Sequence, residues 1–114
     1  MDQTTKLSQL RQRVLQVLEM QVNLKIEPPC IISRISKDVS NEIYRLIDHD
    51  PRENGGTDHV IVELKLMDDK VFVLKDGISY GIAEDLVDAG IVPEDIVEDF
   101  DELPSFTYAE ALAA

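Results

Sequence analysis

Between residues 59 and 67 the side chains alternate, with Val60, Val62, Leu64 and Leu66 on one side and Ile61, Glu63 and Lys65 on the other. A period of two predicts a strand with one buried and one half-solvated face. Asp68, Asp69 and Lys70 separate it from a second apolar run at 71–75, a gap that suits a tight antiparallel hairpin. A sheet with one apolar face must be covered, so the remaining chain has to supply a second layer.

The first half supplies both more sheet and the cover. Leu7, Leu10, Val14, Val17, Leu18 and Leu24 recur at helical spacing, widened by Leu15 and Val22, while Gln9, Arg11, Arg13 and Gln16 fall largely opposite. This predicts an amphipathic helix of about five turns, capped by Thr4 or Thr5 and stopped by Pro28 and Pro29. Two short Ile-rich stretches at 30–36 and 42–48 flank a polar turn and predict two further strands. The stretch from Asp50 to Asp58, with Pro51, Asn54, Gly55 and Gly56, then forms a long loop before the alternating strand. Four consecutive strands favour antiparallel neighbours, because parallel ones need long crossovers.

Beyond Asp76 and Gly77, the residues Ile82, Leu86 and Ala89, with Ala83 and Val87, return to helical spacing, and Gly90 stands where a left-handed C-cap is wanted. Pro93 suits the start of a short helix, with Glu94 and Asp95 where its dipole favours acids and with Ile96, Val97 and Phe100 turned inward. From about residue 101 the periodicity fades, and Leu103, Phe106, Tyr108 and Leu112 either dock on the domain or stay mobile. The whole is expected to be one α+β domain over residues 1–114, in two layers: an N-terminal helix, a four-stranded antiparallel sheet and C-terminal helices. At 114 residues there is room for one core and not for two.

Charge is unevenly placed. Residues 1–75 carry all 11 basic side chains and 12 acidic ones, whereas residues 76–114 carry 11 acidic side chains and no Lys or Arg. Such a C-terminal third repels a phosphate backbone, so no direct nucleic-acid binding is expected of it. It is either a solvated face that keeps the protein soluble or a face shaped for a basic partner. The densest part holds Glu94, Asp95, Glu98, Asp99, Asp101 and Glu102, six acids within nine positions, and these are the candidate partner-binding residues.

No catalytic, cofactor or metal site is expected. Cys30 is the lone cysteine and reads as a small core residue, and no phosphate loop, nucleophile elbow or zinc-protease helix is present. Acidic neighbours such as Glu84 and Asp85 splay apart on a helix instead of facing each other as an acid and a base. His49, Asp50 and His59 define a corner at one end of the sheet where a small ligand, a metal or an enzymatic site can be imagined, although paired ligand spacing is absent. The apolar runs are too short to span a bilayer, and the first six residues are too polar to open a secretory signal, so a cytoplasmic location is expected.

The segment from Asp76 and Gly77 through Tyr80, Gly81, Ile82, Ala83, Glu84, Asp85 and Leu86 to Ala89, Gly90 and Ile91, followed by Pro93, Glu94, Asp95, Ile96 and Val97, resembles the C-terminal half of the XisI family. In that family a strand runs into an Asp-Gly turn, a Gly-Ile-Ala helix start, an Ala-Gly end and an acidic Asp-Ile-Val turn. Two features depart from the pattern: Asp48, His49 and Asp50 stand where a Gly-Trp pair often follows the second strand, and Asp101, Glu102, Leu103 and Pro104 replace a Phe-His-Pro-Pro loop and basic tail after Phe100. The resemblance implies a cyanobacterial regulatory protein controlling excision of the fdxN DNA element. It also implies a protein partner, an XisH-like factor or the excision recombinase. Two other readings compete with it: a small ligand-binding domain or enzyme at the His49, Asp50 and His59 corner, and a module that self-associates through an exposed strand edge as a homo-oligomer.

Overall fold

A computed structural model describes residues 5–24 and 30–98. Helix α1, Lys6–Asn23, is capped by Thr5, whose hydroxyl accepts the Ser8 N–H at 3.1 Å. Its inward stripe is Leu10, Val14, Val17 and Leu18. The helix ends at a Leu24 cap that is largely exposed, not part of the stripe; the expected proline stop lies outside the described residues.

Strands β1 (Ile32–Asp38) and β2 (Ile43–Asp50) form an antiparallel pair from Ile32↔His49 to Asp38↔Ile43. Their turn is fastened by Asp38, whose carboxylate accepts from the Asn41 backbone at 3.2 Å and from its side chain at 2.9 Å. Strands β3 (Thr57–Met67) and β4 (Lys70–Asp76) form the second hairpin, with only Asp68 and Asp69 between them. Both turn residues have positive φ, 56° and 58°, the backbone that matches the twist of a two-residue hairpin.

The sheet order is β1-β2-β3-β4-β5, where β5 is the two-residue strand Ile96–Val97. This corrects the expected all-antiparallel, four-stranded sheet. Ile96 and Val97 run parallel to β4, opposite Val71 and Phe72. The crossover that parallel pairing requires is helix α2 (Ile82–Asp88) followed by a single 3-10 turn, Pro93–Asp95. Two residues following a turn carry no alternation from which a strand can be read.

One face of the sheet meets both helices. Tyr44, Leu46, Val62, Leu64, Leu66, Val71 and Val73 pack there with the α1 stripe and with Ile82, Leu86 and Ile91. The other face is not simply half-solvated, as the alternation suggested. A register shift opposite Leu46 and Ile47 lets Ile61 join the helical core, and Glu63 is only 1% exposed, ion-paired to Arg45 across β2–β3. Ile43 is buried there beside Met67 and Leu74.

Tyr44 ties α1 to the first hairpin. Its buried hydroxyl donates to Glu42 at 2.7 Å, and Arg11 donates to the Tyr44 oxygen at 3.0 Å and to Glu42 at 2.6 Å. Glu42 itself has a left-handed backbone, φ 53°, at the end of the turn between β1 and β2. Among the described residues no helix is long and apolar enough to cross a membrane.

Leu86 is fully buried at the centre of the α2 contact with the core. Leu86→Ala is therefore expected to destabilise the protein by about 2–5 kcal/mol, read as a lower denaturant midpoint with unchanged slope. An unchanged midpoint would show that α2 adds nothing to the core.

Candidate functional site

The chain turns from β4 into α2 through Asp76 and Gly77. The Gly77 N–H donates to the Ile61 carbonyl at 2.7 Å, and a Cβ at this position would lie 2.9 Å from that same oxygen, so only glycine allows the approach. The Asp76 carboxylate accepts from Ile78 N at 3.1 Å and from Ile82 N at 2.9 Å. It thereby caps α2 from six residues upstream, since the N-cap itself, Gly81, has no side chain. The helix ends at Gly90, φ 107°, in the left-handed backbone expected of it.

The acidic segment follows directly. Glu94 and Glu98 are exposed, the first on the Pro93 turn and the second just after β5. Asp95 is half-buried and ion-paired to Lys6 at 2.8 Å, which raises the lysine's pKa through that hydrogen bond. A cation from the start of α1 thus offsets one of the six acids, a pairing that separation in sequence hides. Asp99, Asp101 and Glu102 lie outside the described residues.

The histidine corner is not a converged site. Consecutive register pairs face opposite sides of a sheet, so Asp48↔His59 and His49↔Asp58 put the two histidines on different faces. His49 Nδ1 lies 2.8 Å from Asp58, while His59 Nε2 lies 3.0 Å from Glu53. Asp50 is engaged by the Arg52 guanidinium and then by the Arg52 backbone N–H, which hold its pKa down at about 2. Among the described residues no three His, Cys, Asp or Glu side chains gather as a metal site. Cys30 is half-buried.

A feature not read from the sequence sits beside the Asp76 turn. Asp85 is 8% exposed and accepts from the Tyr80 hydroxyl at 2.7 Å and from Gln21 Nε2 at 2.6 Å. The same Gln21 amide nitrogen also donates to the Tyr80 oxygen at 2.8 Å. Hydrogen bonding to Asp85, with burial second, pushes the Tyr80 phenol above its ordinary range. The signal was present: with Ile82, Leu86 and Ala89 facing inward, position 85 falls on the same stripe, so an acid there must be buried and satisfied. Tyr80 and Gln21 form one wall of an open cleft of about 500 Å³ on the helical side of the sheet.

Asp58 makes the electrostatics of the exposed corner testable. Hydrogen bonds from Arg34 and then His49 lower its pKa from 3.8 to about 2. A depressed carboxyl contributes stability that is present above its unfolded pKa and lost as pH falls through the folded one. The Asp58 contribution should therefore be complete near neutrality and disappear as pH falls from about 4 to about 2. Carboxyl-carbon NMR titration should place its midpoint near 2, and Arg34→Gln should move it upward. A parental midpoint in the ordinary carboxylate range would contradict the pairing.

The comparisons with known proteins agree with this architecture. A crystal structure of the fdxN element excision controlling factor XisI from Anabaena variabilis superposes with a TM-score of 0.66 at 20% identity, covering 86% of this chain and 89% of that one. A XisI-like protein from the same organism gives a TM-score of 0.70 at 17% identity, over 81% and 84%. A search of curated proteins returned no significant match. The family model for the XisI protein matches residues 1–110, and on that match the chain belongs to the XisI family.

Proposed function

We propose that this chain is a regulatory protein of DNA-element excision that acts by binding a basic protein partner rather than by catalysis. Family membership supports the regulatory part, because a structural neighbour with the same fold is named as a controlling factor for fdxN element excision. The observation that carries the partner-binding part is the setting of Glu94 and Glu98. Both carboxylates are exposed on backbone that is fixed by the Pro93 turn and by the pairing of β5 with β4. Charges held on ordered backbone keep their orientation as a partner approaches, and complementary potential then raises the encounter rate. Partners that handle DNA present the basic surfaces such a face fits, which suits the XisH-like factor or recombinase implied by the resemblance. Asp95 is a poorer contact because Lys6 already occupies it.

The test is association kinetics against the co-purified partner at two ionic strengths. The double substitution Glu94→Gln and Glu98→Gln should slow association several-fold at low salt and flatten its salt dependence, with stability changed by less than about 0.5 kcal/mol. Equal association rates for parent and variant at low salt would leave the acidic face as solvated surface only.

A further inference from the structure

The open cleft lies at the C-terminal end of α1, at the margin of the helical core. Leu46 and Ile61 form its floor, Leu24 and Ile78 its sides, and Gln21, Asp48 and Tyr80 its polar groups. The hydrogens of these polar groups are already used. Both assigned bonds of the Gln21 amide nitrogen are spent, on Tyr80 and on Asp85, and the Tyr80 proton is on Asp85. Ser33, which also lines the cleft, gives its hydroxyl proton to Asp48 Oδ1 at 2.6 Å.

What remains is acceptors: Gln21 Oε1, the second Asp48 oxygen and a lone pair on the Tyr80 hydroxyl. Neither Asp48 nor the buried Asp85 behind the wall has a cation within ion-pair distance among the described residues. Asp48 is half-buried and Asp85 buried, each hydrogen-bonded only to neutral donors, and a carboxylate drawn out of water gains from a cationic partner. An occupant of this cleft must therefore bring N–H donors and positive charge at one end and an aliphatic stem for the apolar floor.

We propose that the cleft receives an arginine side chain of the partner protein, with its guanidinium on Asp48, Gln21 and Tyr80 and its methylenes against Leu46 and Ile61. Arginine fits better than lysine because its planar fork presents five donors at fixed angles to several acceptors at once, and because it is the more weakly hydrated cation. This inference rests on the partner-binding reading but uses a surface separate from Glu94 and Glu98.

The probe is the peptide acetyl-Gly-Arg-Gly-amide, titrated into the labelled full chain and followed by amide NMR, beside its citrulline and lysine counterparts. Citrulline keeps the shape and removes the charge. Saturable shifts confined to Ile78, Ser79, Tyr80 and the Gln21 side chain are expected, strongest for the arginine peptide. Asp48→Asn should weaken binding about fivefold or more, in keeping with loss of a charge-assisted pair, while its thermal midpoint confirms an intact fold. The Glu94→Gln, Glu98→Gln variant should bind the peptide as the parent does.

Equal binding of citrulline, tighter binding of lysine, shifts scattered over the acidic surface, or no shift up to about 20 mM peptide would each overturn the proposal. If the peptide result fails while the kinetic effect at Glu94 and Glu98 is seen, the cleft assignment falls and the partner-binding reading stands.

Discussion

The Asp76 carboxylate sets the position of α2 and of the described chain beyond it. It ends β4, accepts the N–H groups of Ile78 and Ile82, and starts a helix of only seven residues. A helix that short does not hold itself together in water. Here the remote cap and the burial of Ile82 and Leu86 replace the cooperativity that length would give. Glu84 and Asp85 in its first turn add a favourable interaction with the helix dipole. Gly77 makes the turn possible by bringing the backbone against Ile61.

Two surfaces inherit their geometry from this corner. On one side, the turn carries Tyr80 to Gln21 and Asp85, and so builds a wall of the cleft. On the other, α2 returns the chain to β4, where β5 pairs in parallel and presents Glu94 and Glu98 at the sheet edge. The ion pair of Lys6 with Asp95 ties that edge back to the start of α1. Negative charge in this protein is thus sorted into roles: Asp76 and Asp85 are consumed by structure, Asp95 is neutralised, and Glu94 and Glu98 are left to solvent or a partner.

Much of the fold is legible in the sequence because the signals are periodic and local. The α1 stripe, the alternation in β3, the tight hairpin after it and the Gly90 cap each follow from short-range rules, although Lys70, read as part of the hairpin gap, begins β4. The parallel β5 is not legible, since Ile96 and Val97 become a strand only through their contact with Val71 and Phe72. The burial of Glu63 is misread for a related reason. Alternation marks it as facing away from the helical core, but only the cross-strand partner Arg45 tells that this face is closed too. For the candidate site, the acidic clustering is visible in the chain, whereas the Lys6 pairing joins residues 89 positions apart. The histidine corner shows the converse, since residues close in sequence are separated by strand register onto opposite faces.

The Asp76 corner holds α2 and, through it, β5 on the domain. Native-state hydrogen exchange of Asp76→Ala tests it most directly, because local opening is read residue by residue against the rest of the molecule. Amides of Ile82–Asp88 and Ile96–Val97 are expected to lose protection while those in the β2–β3 centre keep theirs. Parental protection in Ile82–Asp88 would contradict it.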